Sequence, residues 1–293
     1  MSDSATANIN YQETGKGCDN SIQARIAVVI LAWNSENYLE KCIQSVLNVS
    51  AQSLAIWVVD NGSTDSTPSI LRNLARENNN LHVITCASNL GTTVSRNMAI
   101  RQIGDAADII CILDSDTVVN QDAFAKLSSV IENNHDVGVV GPTLIGSDGN
   151  PQLSGRNFPT VQLKIGKALP IKSIEQRASN AEIPASPILN GLQDVGYLLS
   201  ACWFIRADVL RQVGLFDENI FYAPEDVDWC LRCHKAGYRV IRCYDAKILH
   251  EYQRISHKKL FSNTNKEHLK GLFYYFNKHG YAFNAPTIHQ ENK

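Results

Sequence analysis

The feature that most constrains this chain is a strict alternation, from Ile26 to Leu113, of short β-branched apolar runs with stretches of helical period. Ile26 to Leu31 reads as a strand, Glu36 to Leu47 as a helix and Leu54 to Val59 as a second strand. Ser66-Thr67-Pro68 then opens a helix with a cap residue just before a first-turn proline. Leu81 to Cys86, a helix after Gly91, and Ile109 to Leu113 continue the series. Strands joined through helices specify an α/β fold, a doubly wound, mostly parallel sheet flanked by helices. In such sheets ligands bind beyond the carboxyl ends of the strands. The four loops there are Ala32-Trp33-Asn34, Asp60-Asn61-Gly62-Ser63, Ser88-Asn89-Leu90-Gly91 and Asp114-Ser115-Asp116, so polar groups gather at four consecutive strand ends.

Around this repeat, residues 1–24 are polar and aperiodic and read as a disordered tail. Pro142 to Asp194, rich in Gly, Pro, Ser and Asn, reads as a long excursion with little regular structure. Beyond it, Tyr197 to Ile205 reads as one strand, Ala207 to Val213 and Glu225 to Ala236 as helices, and Tyr238 to Ile241 and Lys247 to Leu249 as two strands. The 27 Lys and Arg against 29 Asp and Glu give a net charge of -2, which offers no basic field for nucleic acid. No apolar run approaches the roughly 18 residues of a membrane span, and the N-terminus lacks a secretory layout, so a cytoplasmic protein is expected. The scattered cysteines fit a reducing compartment. Cys230-Leu231-Arg232-Cys233-His234 has haem-attachment spacing, but such attachment belongs to exported proteins.

Several groups have the chemistry of a site. Asp114 and Asp116, one residue apart after an apolar strand, can share Mg²⁺ or Mn²⁺; the same triplet also reads as a solvated turn ahead of a helix. The Asp60 turn can face a base edge or ribose, or be a plain turn. Arg96 can reach a diphosphate or lie on the surface. Pro224-Glu225-Asp226-Val227-Asp228 brings three carboxylates to a helix N-terminus, where Asp228 suits a structural role and Glu225 or Asp226 suits general-base chemistry. His250 ends a strand, either completing a metal shell or packing in place. No glycine-rich phosphate loop and no Gly-x-Ser-x-Gly elbow is present.

Taken in order, Val29 to Ser35, Val58 to Asp65, Asn89-Leu90-Gly91 with Ser95-Arg96-Asn97, Leu113 to Thr117, Val213 to Glu218 and Glu225 to Arg232 resemble the family 2 glycosyltransferases of GT-A fold, in their rhamnosyltransferase-like branch. The similarity spans roughly Ile26 to Gly280. It implies a catalytic domain over 25–252, with a nucleotide-binding half to 142 and an acceptor and base half from 143, followed by a helical extension over 253–293. It also implies that Ala32, Asn34, Glu36, Asp60, Gly62, Ser63, Asn89, Gly91, Arg96, Asp114 and Ser115 bind the nucleotide of a nucleotide-diphosphate sugar. By the same resemblance Asp116 and His250 are expected to hold Mn²⁺ or Mg²⁺, and Asp226, favoured over Glu225, to be the base of an inverting transfer to a glycan or lipid-linked acceptor.

Two departures stand out: Trp33 where the family often has Tyr, and Ser200-Ala201-Cys202 where a Gly-Ala pair is usual, the latter expected to alter sugar accommodation. A sugar nucleotidyltransferase would favour an early glycine-rich basic loop, and a non-catalytic nucleotide-sugar-binding module would not need the acidic residues together. Lys258 to His279 mixes basic and aromatic residues, which suits either packing on the catalytic domain or peripheral contact with the inner face of the cytoplasmic membrane.

Overall fold

A computed structural model describes residues 22–251 and 263–286 of the chain. The expected alternation forms, with β1 (Ile22–Ala32), α1 (Leu39–Leu47), β2 (Ala51–Asp60), α2 (Thr67–Glu77), β3 (Leu81–Thr85), α3 (Thr92–Ile103) and β4 (Ile109–Asp114). β5 (Thr117–Val118), α4 (Gln121–Asn133) and β6 (Val137–Ile145) follow, then β7 (Gly155–Arg156), α5 (Val161–Ala168), α6 (Lys172–Ala181), β8 (Ile188–Leu189), β9 (Leu192–Asp194) and β10 (Tyr197–Leu198). β11 (Cys202–Arg206), α7 (Ala207–Val213), α8 (Glu225–Lys235), β12 (Arg239–His250) and α9 (Asn263–His279) complete the order.

The main sheet runs β3-β2-β1-β4-β11-β6-β12-β9-β8, with β5 on β12. β1, β2, β3 and β4 pair in parallel, and so do β6 and β12, while β11 lies antiparallel between β4 and β6. The alternating faces of the central strands explain their near-continuous apolar sequence. Val28 and Ile30 of β1 with Cys111 and Leu113 of β4 enter one core beneath α1, α2 and α4. Ala27 and Val29 with Ile110 and Ile112 enter a second core, shared with Trp203, Trp229 and Tyr275. This is the flanked α/β architecture expected of a GT-A fold.

Four details differ from the expectations. The first strand begins at Ile22, inside the stretch read as tail, because Ile22 already pairs with Ala51; residues 1–21 lie outside the described residues. The excursion after Pro142 is not structureless, since it carries α5 and α6. These helices are short and bury little besides Leu163 and Ala178, so the period in their apolar residues is a weak signal. The strand expected from Tyr197 to Ile205 breaks at Leu199-Ser200-Ala201, where β10 leaves β7 and β11 joins β4. The two strands expected after Tyr238 are one, β12, with an irregularity between Cys243 and Lys247.

Candidate active site

The carboxyl ends of β1, β2 and β4 meet in a cleft whose loops are tied by their own polar side chains. Asn34, with φ 50°, accepts from the Thr64 amide at 2.9 Å, while its own amide donates to Ser63 Oγ at 3.0 Å. Glu36 accepts from the Ser66 amide at 3.0 Å, satisfying one of the free donors at the start of α2. Ala32 is buried and its carbonyl receives the Asn61 amide at 2.8 Å. Asp60 is buried and accepts from the Ser63 amide at 3.0 Å, closing the turn that contains Gly62. Gly62 has φ +74°, and a Cβ there would stand 2.5 Å from the backbone of Ser88.

Asn61 bridges this turn to the next, accepting from the Leu90 amide at 2.8 Å and donating to Asn89 Oδ1 at 3.0 Å. Gly91, with φ +85°, lies so close to the chain ahead of α8 that a Cβ would stand 2.3 Å from the Phe221 carbonyl oxygen. Trp33, Leu90, Phe221 and Tyr222 are exposed here.

At the end of β4, Asp114, Asp116 and His250 each offer a ligand atom, all within 4.8 Å of one another. The pairing of β12 with β5, His250 opposite Thr117, brings the histidine there from 134 residues further along the chain. His250 Nε2 stands 3.5 Å from Asp116 Oδ1, and the other ring nitrogen lies 2.7 Å from Gln152 Oε1. A carboxamide there fixes the orientation of the ring. Burial, reinforced by the Asp114 carboxylate and by Glu251, pushes the Asp116 carboxyl up to about 7. Burial likewise holds the His250 imidazole below its usual range, in the neutral form that binds metals. Two oxygen donors and one imidazole, held close and partly desolvated, fit a hard divalent cation. Ser115 binds Ser35, Oγ to Oγ, at 2.9 Å, fixing the middle of the triplet to the β1 loop.

Arg96 is not a surface residue. It is 2% exposed and sits between the acidic groups, donating to Asp114 Oδ1 at 2.8 Å, Glu225 Oε1 at 3.1 Å and Ser200 Oγ at 3.0 Å. Its guanidinium therefore joins the metal-ligand cluster to the start of α8, where sequence reasoning aimed it at a diphosphate. Ser200 Oγ donates in turn to Glu225 Oε1 at 2.9 Å. Sequence reasoning missed Ser200 and Gln152 as members of the site, and only the unusual Ser200-Ala201-Cys202 triplet hinted at the first.

The two carboxylates at the head of α8 have different surroundings. Glu225 is buried among Arg96 and Ser200; burial, together with the neighbouring Asp226 charge, pushes its carboxyl up to about 7. Asp226 is half-buried, and the one hydrogen bond it accepts among the described residues is from the Val227 amide at 2.8 Å. Burial raises its carboxyl too, against the pull of Lys164, Arg156 and Arg96. Asp228 faces away, fully buried, and binds Arg232, Lys278 and His279 at 2.9, 2.6 and 2.8 Å. That is the structural role expected of it, and it clamps α9 to the catalytic body. Tyr275 and Leu272 of α9 pack inward, whereas Leu269 and Phe273 are exposed. The Cys230 and Cys233 thiols are buried in the core with α8, as a continuing helix requires.

Comparison with known proteins gives one consistent picture. A mannosyltransferase from Pyrobaculum calidifontis, solved in complex with GDP-Man and Mn²⁺, superposes with a TM-score of 0.60 at 19% identity, covering 92% of this chain and 67% of that one. GalNAc-T7, solved with UDP, GalNAc and Mn²⁺, gives 0.65 at 16% identity, over 87% of this chain and 48% of that one. These likenesses establish the fold. In sequence, an N-acetylglucosaminyl-diphospho-decaprenol L-rhamnosyltransferase of Mycobacterium tuberculosis is 24% identical over 277 residues, covering 89% of this chain and 87% of the relative. A poly-beta-1,6-N-acetyl-D-glucosamine synthase of Staphylococcus aureus is 27% identical over 216 residues, covering 73% of this chain and 47% of the relative. The family model for glycosyl transferase family 2 matches residues 27–213, well over half the chain, and with the fold and the acidic cleft it identifies this protein as a member of that family of glycosyltransferases.

Proposed function

We propose that this chain transfers a sugar, in the manner of its rhamnosyltransferase relative, from a nucleotide-diphosphate donor to a hydroxyl of a lipid-linked glycan acceptor, with inversion. The observation that carries the reading is the buried Arg96, which joins the Asp114, Asp116 and His250 cluster to Glu225 beside Asp226. The Asp60 turn and the Asn34 and Gly91 loops form the nucleoside end of the cleft, within a nucleotide-binding half over 25–142. Asp116 and His250, with Asp114 beside them, would hold Mn²⁺ or Mg²⁺, which neutralises charge on the departing diphosphate.

Asp226 is the base. It is half-buried and, among the described residues, accepts only from the Val227 amide, whereas Glu225 is buried and anchored through Oε1 to Arg96 and Ser200. Asp226 takes the proton of the acceptor hydroxyl as that oxygen bonds to the anomeric carbon and the bond to the diphosphate breaks. Glu225 and Arg96 hold the head of α8 in position for this transfer.

The acceptor half, 143–252, borders α9, and no helix among the described residues is long and apolar enough to cross a membrane. A lipid-linked acceptor then calls for peripheral contact with the membrane surface.

The test is Asp226→Asn, assayed for transfer and for donor binding by thermal shift with Mn²⁺. General-base catalysis supplies roughly 10²- to 10⁴-fold, so turnover falls by about that factor while donor binding stays. Near-normal turnover in Asp226→Asn would remove the base assignment, and absence of any nucleotide-sugar shift in the unmodified protein would remove the donor.

A further inference from the structure

The largest concentration of exposed apolar surface lies away from the cleft loops. Thirteen large hydrophobic side chains are exposed among the described residues, and six of them fall within 165–189: Ile165, Leu169, Ile171, Ile183, Ile188 and Leu189. Ile165 lies on α5 and Leu169 caps its end, the Leu169 amide donating to the Ile165 carbonyl at 3.1 Å. A cavity of about 790 Å³ opens between Leu163, Gly166, Ile174 and Ala178 on the helices and Phe158 and Pro286 beside them. A soluble surface rarely concentrates apolar groups this way without a partner.

The charge beside them points to the partner. From 159 to 189 the chain carries four basic residues, Lys164, Lys167, Lys172 and Arg177, against Glu175 and Glu182, although the whole chain is acidic at -2. Glu182 is buried and consumed by Arg156 and Lys167, at 3.1 and 2.6 Å. Lys172 and Arg177 are exposed, with Glu175 exposed between them, so two cations face solvent against one anion, and none of the three forms an ion pair among the described residues. Apolar groups interleaved with unpaired cations match the interface of an anionic bilayer, where apolar tips enter the headgroup boundary and cations meet phosphate.

The position of the surface fits as well. α5 borders the base, because Lys164 is close enough to Asp226 to oppose the effect of its burial. It also borders α9 through Lys164 beside His268, and the segment after α9 through the Val161 amide, which donates to the Ala282 carbonyl at 2.8 Å.

We propose that the α5–α6 hairpin, with residues 183–189, is the surface by which this enzyme docks on an anionic bilayer, presenting Asp226 to acceptors carried in that bilayer. This rests on the lipid-linked acceptor proposed above, and names the element that reaches it.

The experiment is sedimentation of the full chain with vesicles of pure phosphatidylcholine and with vesicles containing phosphatidylglycerol. The protein is expected to pellet with the anionic vesicles and to be released by salt. The fourfold variant Ile165→Ser, Leu169→Ser, Ile188→Ser, Leu189→Ser should lower the partition coefficient by about tenfold or more. Lys172→Glu with Arg177→Glu should abolish the preference for phosphatidylglycerol, and it alters no packed residue, so it remains informative if the fourfold variant melts early.

Pelleting unaffected by both variants, or an unmodified protein that stays in the supernatant, overturns the proposal. So does light scattering that shows a dimer without vesicles and a monomer for the fourfold variant, since a second copy would then cover the hairpin. Thermal shift with nucleotide-sugars is run on the same samples: loss of docking with donor binding intact separates failure of this surface from failure of the glycosyl-transfer reading.

Discussion

Arg96→Met removes the charge at the centre of the site while keeping most of the side-chain volume. The guanidinium is 2% exposed and has two acidic partners in different surroundings, Asp114 with a side chain 35% exposed and Glu225 at 8%. Breaking a buried ion pair by deleting one partner costs about 3–5 kcal/mol. Asp114 can be rehydrated, which brings its share down towards the ~0–1 kcal/mol of a surface pair. Glu225 cannot, but its carboxyl, already pushed up to about 7 by burial, relieves the strain by taking a proton. The net loss expected at pH 8 is therefore about 2–3 kcal/mol.

The pH dependence gives this its sign. Loss of Arg96 raises the folded carboxyl of Glu225 further above its unfolded value. A carboxyl raised in the folded state favours folding at low pH, and that contribution is lost as pH climbs through the raised value. The deficit of Arg96→Met against the parent should thus grow between pH 6 and pH 8. Urea unfolding at both values measures it, and Glu225→Gln added to Arg96→Met should recover part of the loss at pH 8. Arg96→Lys should rescue poorly, because an ammonium cannot match the forked geometry that serves Asp114, Glu225 and Ser200 together. A deficit under about 1 kcal/mol at pH 8, or one of equal size at both pH values, would refute the assignment of Arg96 as the charge that holds the site.

Two further outcomes follow from the same geometry. Gln152→Ala should weaken Mn²⁺ binding by about 10- to 100-fold, since the carboxamide orients the His250 ring; a thermal-shift titration with Mn²⁺ reads this, and unchanged affinity would detach His250 from the metal. Lys278→Ala should cost about 1–2 kcal/mol, because Asp228 keeps Arg232 and His279 but loses one charged donor. Burial alone would raise the Asp217 carboxyl, yet hydrogen bonds from Lys278, Asn219 and Tyr274 hold it well below the usual range. A lowered carboxyl stabilises above its unfolded value and ceases to do so as pH falls, so Lys278→Ala should flatten the acid limb of the stability curve below about pH 4. An acid limb as steep as that of the parent would show that Lys278 contributes nothing to it.

What could be read from the chain alone is explained by range. The strands of the first half announce themselves because each is buried on both faces, and the polar residue that ends each one is where the sheet stops and the cleft begins. Asp60, Asp114 and Asp116 were visible for that reason. Their partners were not, since Arg96 meets Ser200 and Glu225 across 104 and 129 residues, and nothing local in a helical arginine distinguishes a buried clamp from a solvated surface group. His250 was visible as a strand-end histidine, but the Gln152 that orients it lies 98 residues earlier, in a stretch that carries no pattern. The α5–α6 hairpin was hard to see as structure because its helices are short and few of its side chains enter the core, which leaves only a weak helical period.

Ser200 shows how the two kinds of information combine. The Ser200-Ala201-Cys202 departure suggests, in sequence, a change in how sugar is accommodated, but the Ser200 hydroxyl is spent internally, accepting from Arg96 and donating to Glu225. A glycine at this position would leave the buried Glu225 with Arg96 alone, while the serine adds a second hydrogen bond to its charged form. The departure thus ties the strand break at Ser200 to Arg96 and to Glu225 at the head of α8. The same contacts set the two carboxylates apart: Glu225 is buried and anchored through Oε1 to Arg96 and Ser200, whereas Asp226 is half-buried and, among the described residues, accepts only from the Val227 amide.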